Sequence, residues 1–258
     1  GAAHLVSSMG TDTIAAVHAL EFGYNIRMAG YSIPASEHSS TTSHGRDGAL
    51  DLITQMFDAY AKPGFAFATV ADSWDIMNFI RNYTPLFKQR LIESGALWVI
   101  RPDSGDPIRM PIQCVIELEK VFGTTVNKKG YKVLNNVRVI QGDGVNKDTI
   151  KDMLIMFDEN KWSADNIAFG MGGALLQASD RDTLKFAMKA SSAIVNGAAR
   201  DVYKEPKTDM GKASKRGRLT LVKDDYGNFR TVRESEVGDQ EEVLTEVFLN
   251  GSITKTYT

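Results

Sequence analysis

Leu97-Trp98-Val99-Ile100-Arg101-Pro102-Asp103-Ser104-Gly105 is the stretch on which the reading of this chain turns. Four apolar residues, mostly β-branched or aromatic, stand in a row and then stop at a polar turn containing proline and glycine. The run is too short for a helix and has no polar alternation, so it reads as a strand buried on both faces. Such strands belong to parallel sheets covered by helices. The same layout recurs on either side. Ile33 follows Gly30-Tyr31-Ser32 and ends at Pro34. Phe65 to Val70 ends at Asp72. Val137-Arg138-Val139-Ile140 ends at Gly142-Asp143-Gly144, and Ile167-Ala168-Phe169 ends at Gly170-Met171-Gly172-Gly173.

Between these runs lie segments of helical spacing. Gly48 to Tyr60 places Leu50, Ile53, Met56 and Phe57 on one face; Ile112 to Phe122 places Val115, Ile116, Leu118 and Val121; Thr149 to Phe157 places Ile150, Met153, Leu154 and Phe157. Strand and helix alternating at ~30–40 residues is the βαβ signature of a parallel sheet. An open doubly wound sheet and a closed barrel both fit that alternation. The polar residues favour the barrel, because they follow nearly every strand instead of gathering at one switch point. The expectation is an α/β class with an irregular, partial α/β barrel over 1–178. About five or six strands are visible where a full barrel has about eight. The chain also opens on Gly1-Ala2-Ala3-His4-Leu5-Val6 like the interior of a domain. A first strand and an N-terminal domain are therefore expected outside this sequence.

Residues 179–258 differ in character. Lys204 to Arg218 is basic and loop-like. Leu219-Thr220-Leu221-Val222 and Phe229-Arg230-Thr231-Val232 flank Asp224-Asp225-Tyr226-Gly227-Asn228, and a further pair flanks Asn250-Gly251, a two-residue turn signal. These hairpins are expected to belong to a second domain.

Composition narrows the classes. A net charge of -2 gives no global pull toward nucleic acid, and the basic stretch lacks interleaved aromatics. No run approaches the ~20 apolar residues of a membrane span. The single cysteine, Cys114, lies in an apolar helical pattern and reads as a buried small hydrophobe; one cysteine allows no internal disulfide, which suits a reducing, cytoplasmic setting.

Chemistry concentrates at the strand ends. Arg101 offers a planar fork for phosphate or a ring amide, and Asp103 can hold a sugar hydroxyl or a Mg²⁺-bound water; an Arg–Asp pair locking the turn is the competing reading. Gly142-Asp143-Gly144 clears space and projects a carboxylate, or is an ordinary tight turn in which the aspartate caps a helix. Gly172 and Gly173 expose backbone N–H groups where barrels often bind phosphate, or serve close helix packing. His38 can bind phosphate, shuttle protons or accept a phosphoryl group, or be structural. Asp12 and Asp72 are each a helix cap or a site acid. The cations Arg181, Lys189, Lys204 and Lys212 are a solvated face unless a phosphate-rich substrate gives them a purpose.

Taken in order, Gly10-Thr11-Asp12-Thr13, Gly30 to Ser39, Ile100 to Gly105, Val139 to Gly144, Asn166 to Gly170, Lys215 to Leu219 and Asn250-Gly251 resemble the nicotinamide phosphoribosyltransferase family, of the type II phosphoribosyltransferases. The resemblance runs over essentially the whole chain. It implies transfer of a phosphoribosyl group from phosphoribosyl pyrophosphate to nicotinamide, giving nicotinamide mononucleotide and pyrophosphate. It implies an irregular α/β barrel with a second α/β domain in a homodimer sharing its active site, with Mg²⁺ carried mainly by the substrate pyrophosphate and ATP as an optional coupling substrate. By resemblance Asp12 selects the amide over the acid, Ser32 and Ile33 wall the ligand tunnel, and Arg101 lies near nicotinamide and phosphate. Asp103, Gly142 and Asp143 contact ribose, Asp72 lies toward pyrophosphate, and Gly172 with Gly173 take the 5′-phosphate. His38 is phosphorylated from ATP. Arg181, Lys189, Lys204 and Lys212 reach across the dimer toward phosphates. Ala68 departs from the family, which often has serine there. The aromatics that sandwich the pyridine ring, and a further phosphate-binding arginine, belong to the family's N-terminal half. Nicotinate phosphoribosyltransferase is the enzymatic alternative, against which Asp12 argues by repelling a substrate carboxylate. A non-catalytic binding fragment is the other.

Overall fold

A computed structural model describes residues 1–176 and 187–256. Its central feature is a four-stranded parallel sheet, taken up after two short helices, Ile14–Tyr24 (α1) and His38–Ser43 (α2), and the longer Ala49–Tyr60 (α3). Strands Ala66–Val70 (β1) and Leu97–Arg101 (β2) are separated by helical residues Ile76–Asn78 (α4), a π-turn over Phe79–Tyr83, and Thr84–Ser94 (α5). Helix Arg109–Phe122 (α6) then leads to the short hairpin Thr124–Val126 (β3) and Lys132–Leu134 (β4), and on to Val137–Gln141 (β5). Helix Lys147–Glu159 (α7) precedes Ile167–Phe169 (β6) and the four-residue Gly173–Leu176 (α8).

The strands stand in the order β1-β2-β5-β6, all parallel. Parallel bridges Ala35 to Ala68 and Gly10 to Tyr31 continue the row beyond β1. Spatial order thus follows chain order without a reversal among the described strands. A doubly wound sheet reverses at a switch point, whereas a barrel wall advances in one direction. The expected α/β class, the four buried runs and their antiparallel companions are all present. Ile33 itself joins no strand; its segment meets β1 through Ala35 instead.

The sheet folds because β1 and β2 are buried on both faces and β5 buries Val137 and Val139, with helices to cover them. Trp98, Phe67, Ile100, Val137 and Val139 are fully buried, and Phe57 of α3 packs edge-on to Phe67 and Trp98 with ring centroids 5.1 and 4.9 Å away. The Trp98 indole N–H donates to Thr69 Oγ1 at 2.9 Å, so the largest buried side chain keeps its polar atom satisfied. Cys114 of α6 is fully buried, and burial pushes its thiol well above the ordinary range. It is the inert hydrophobe that its pattern predicts.

The chain divides into two compact units: Gly1–Met188 with Lys204–Ala213, and Lys189–Tyr203 with Ser214–Thr258. The basic stretch is therefore split, and both Lys204 and Lys212 belong to the first unit. The second unit is built of hairpins. Ser192–Val195 (β7) pairs with Ala198–Asp201 (β8) around Asn196 and Gly197, and Leu219–Lys223 (β9) with Phe229–Arg233 (β10) and Glu241–Glu242 (β11). Phe248–Leu249 (β12) pairs with Ser252–Ile253 (β13). Between those last strands Asn250 and Gly251 both take positive φ, 49° and 87°, as the two-residue turn requires.

Candidate active site

The site sits at the C-terminal ends of β1, β2 and β5 and lies wholly within the first unit. Its first layer is set by Pro34 to His38, stitched onto β1. The Ala68 amide donates to the Pro34 carbonyl at 2.8 Å, and the Ser36 amide to the Ala68 carbonyl at 3.1 Å. The Val70 amide donates to the buried Ser36 hydroxyl at 3.0 Å. This fixes the start of α2, so that His38 faces the residue just past β1, Asp72.

His38 Nε2 is 2.8 Å from Asp72 Oδ1. A carboxylate only accepts, so Nε2 carries the hydrogen. Lys204 Nζ lies 3.1 Å from the same nitrogen and 3.3 Å from Asp72 Oδ2, to which it donates. His38 Nδ1 is left toward Asp103, 3.7 Å from Oδ2 and beyond hydrogen-bond length. Asp72 is only 1% exposed and Lys204 7%, so the pair is desolvated. Burial alone would raise the Asp72 carboxyl. The His38 hydrogen bond and the Lys204 charge more than reverse that and hold it at about 2. Lys204 is delivered by its neighbours: the Glu205 amide donates to the Ser73 carbonyl, the Lys207 amide to the Trp74 carbonyl (both 3.3 Å), and Lys207 Nζ pairs with Asp75 at 2.5 Å.

The second layer crosses from β2 to β5. Arg101 Nη1 donates to Glu37 Oε1 at 2.9 Å and Nη2 reaches Asp103 Oδ1 at 3.4 Å. Burial disfavours the guanidinium charge, but Asp103 and Glu37 together raise its pKa above the ordinary range. Gly142 abuts this pair. A Cβ there would stand 3.3 Å from Asp103 Oδ1 and 3.6 Å from Arg101 Nε. The glycine is needed for close approach. Lys212 Nζ pairs with the Asp143 carboxylate and lies 3.4 Å from the Asp103 carbonyl. The Ser104 and Thr208 hydroxyls, 2.6 Å apart, tie the same returning segment to the β2 loop.

None of the three aspartates that sequence left open between cap and site, Asp12, Asp72 and Asp143, is a helix cap; Thr13 holds the cap position of α1. Asp75, not Asp72, caps α4 by accepting from the Asn78 amide. Asn146, not Asp143, caps α7, accepting from the Asp148 and Thr149 amides. Asp72 and Asp143 thus keep their carboxylates for Lys204 and Lys212. Glu37, which sequence reasoning passed over, is the nearest carboxylate partner of Arg101. Its signal was an acid one residue before His38.

The remaining candidates fall outside this cluster. Asp12 is exposed before α1, whose cap position belongs to Thr13. Ser32 is exposed and Ile33 half-buried beside the bridge to β1. Gly172 and Gly173 are exposed at the start of α8. Lys189 belongs to the second unit. Arg181 lies outside the described residues. Among the described residues no three carboxylate, histidine or cysteine side chains are gathered as a metal cage. No described helix is long and apolar enough to cross a membrane.

The loops after successive parallel strands thus gather the Asp72–His38–Lys204 set and the Arg101–Asp103 pair beside Gly142 at one end of the sheet. The chain belongs to the nicotinate phosphoribosyltransferase family, whose pattern matches residues 1–252. Among its relatives, a protein of Xanthomonas campestris pv. campestris named nicotinamide phosphoribosyltransferase is 49% identical over 264 residues, covering 100% of this chain and 56% of that protein. One of the same name from Acinetobacter baylyi is 30% identical over 277 residues, covering 98% and 54%. A third, from Mycoplasma pneumoniae, is 32% identical over 231 residues, covering 84% and 49%. The chain therefore spans about half the length of the curated relatives it matches.

Proposed function

We propose that the whole protein transfers a phosphoribosyl group from phosphoribosyl pyrophosphate to nicotinamide, forming nicotinamide mononucleotide and releasing pyrophosphate. The observation that carries this is the meeting of Arg101, Asp103, Gly142, Asp143 and Lys212 at neighbouring strand ends. The names of the relatives supply the acceptor, nicotinamide, and the phosphoribosyl group transferred.

In this reading the pyridine nitrogen attacks C1′ of the ribose while the C1′–oxygen bond to pyrophosphate breaks. The nitrogen is already a nucleophile, so no serine or cysteine is required. Positive charge grows on the sugar, and the carboxylates of Asp103 and Asp143 hold the ribose hydroxyls and favour that charge. Arg101 and Lys212 supply cations for phosphate oxygens, with Gly172, Gly173, Lys189 and Arg181 as further phosphate contacts. Asp103 would face the water shell of a Mg²⁺ brought in by the pyrophosphate, and that ion would supply positive charge to the leaving group. His38 takes the γ-phosphoryl group of ATP on Nδ1, releasing ADP, with Asp72 and Lys204 orienting the ring. Asp12 accepts from the carboxamide, and Ser32 and Ile33 line the path to it. A homodimer with a shared site and a cytoplasmic location complete the proposal.

The test is Asp103→Ala in the whole protein, assayed for nicotinamide mononucleotide. Product formation should vanish; near-normal turnover overturns the role. The family pattern is described for nicotinate, which makes the acid the second candidate substrate. Equimolar competition between amide and acid decides between them, and preference for the acid overturns the amide reading.

A further inference from the structure

The β5 strand ends on an anomaly. Val137, Val139 and Gln141 share one face of the strand by its two-residue period, and the first two belong to the hydrophobic core. The third is a carboxamide, fully buried. Its Nε2 donates to the Asp143 carbonyl at 2.8 Å, while its Oε1 has no hydrogen-bond partner. The orientation of the amide follows from that bond, since an Oε1 turned toward the carbonyl would be repelled. A buried amide with half its capacity unmet does not serve stability, because a leucine there would leave no orphan acceptor. What the amide does is span the turn that it precedes: it grips the carbonyl of Asp143 two residues on. Only Gly142 lies between, and Gly142 and Asp143 are the two residues that meet Asp103 and Lys212.

We infer that Gln141 is a positioning residue, whose buried carboxamide clamps the Gly142-Asp143-Gly144 turn so that the Asp143 carboxylate faces Lys212 and the ribose hydroxyls. The inference rests on the phosphoribosyl-transfer reading for its substrate, but the clamp itself is a property of the chain. Without the clamp the Asp143 carbonyl loses its side-chain partner, while the turn keeps the Thr149 hydroxyl on the Gly144 carbonyl and the Lys212 pair on the Asp143 carboxylate. Gln141→Leu keeps approximate size and burial and removes the donor together with the unpartnered acceptor. Gln141→Glu restores a donor when its carboxyl is protonated, and so tests the bond itself.

The experiment compares wild type, Gln141→Leu and Gln141→Glu in the whole protein by hydrogen exchange, thermal melting and steady-state kinetics. In Gln141→Leu the amides of 142–145 should lose protection while those of β5 keep theirs, with the melting temperature unchanged or higher. The KM for phosphoribosyl pyrophosphate should rise roughly tenfold, as expected for a mispositioned binding group, with the KM for nicotinamide little changed. Gln141→Glu should regain protection and activity relative to wild type as pH falls. Unchanged protection over 142–145 overturns the clamp, as does a general loss of stability with both KM values moved together. Lost protection in Gln141→Leu, beside a wild type that turns over no phosphoribosyl pyrophosphate, keeps the clamp and overturns the transfer reading instead.

Discussion

Lys204 Nζ stands 3.3 Å from Asp72 Oδ2 across 132 residues of chain, with both side chains inside the fold. A buried ion pair is weak evidence of net stability, but removal of one partner strands the other charge in a poor dielectric. Lys204→Met should therefore destabilise the protein by about 3–5 kcal/mol. Asp72→Leu combined with Lys204→Met should recover much of that, because no charge remains to be buried. Urea midpoints of the two single variants and the double variant give the coupling directly. Additive losses would mean that solvent reaches Asp72.

The same pair sets an acid limit. The folded Asp72 carboxyl, at about 2, lies below its ordinary 3.8. Its contribution is therefore present above pH ~4 and lost as pH falls from there toward 2, because the unfolded chain binds the proton first. The difference is worth on the order of 2 kcal/mol at neutral pH. Wild type should lose that much relative to Asp72→Asn between pH 5 and pH 2.5, read from denaturant midpoints. Parallel curves for the two proteins would remove Asp72 as the titrating group.

Gly142 tests the crowding of the site. An alanine Cβ would meet Asp103 Oδ1 at 3.3 Å and the Arg101 guanidinium at 3.6 Å, so that one of them has to give way by a few tenths of an ångström. Gly142→Ala should lower kcat/KM by about tenfold or more while changing stability by less than about 1 kcal/mol. Full activity would show that the Arg101–Asp103 arrangement is not needed as found.

Thr69 tests the core. Thr69→Val keeps the shape but removes the acceptor of the buried Trp98 indole. The orphaned N–H should cost about 1–3 kcal/mol, measured by thermal or urea unfolding. A smaller loss would require the indole to find another acceptor.

What could be read from sequence follows the range of the interactions. The runs around Phe67, Trp98, Val139 and Ile167 are short, mostly apolar and closed by polar or glycine turns, so each announces a strand without reference to the rest of the chain. The polar residues that close them, Asp72, Arg101, Asp103 and Asp143, are local to the strands and were found with them. Whether Asp72 and Asp143 cap helices was not readable, because Asp75 and Asn146 lie within three residues and compete for the same work. The β3–β4 hairpin gave no signal, being three residues on each side with Lys132 in its midst. The return of Lys204–Ala213 to the first unit was equally hidden. Its attachments, Lys204 to Asp72 and Lys212 to Asp143, span 132 and 69 residues, and no periodicity records them.

Arg101 separates charge from shape. Its fork spans two carboxylates, Glu37 at 2.9 Å and Asp103 at 3.4 Å, and does so from one planar group. A lysine carries the same charge on a single point and cannot hold both geometries at once. If the guanidinium orients Glu37 and Asp103 as well as attracting phosphate, Arg101→Lys should lose about a hundredfold in kcat/KM. Glu37→Gln, which keeps a neutral acceptor for Nη1 and leaves Asp103 in place, should lose much less. The two variants, assayed together on the whole protein, rank orientation against charge. Near-normal turnover by Arg101→Lys would reduce Arg101 to a counterion, and a loss in Glu37→Gln as deep as in Arg101→Lys would move the orienting role from Asp103 to Glu37.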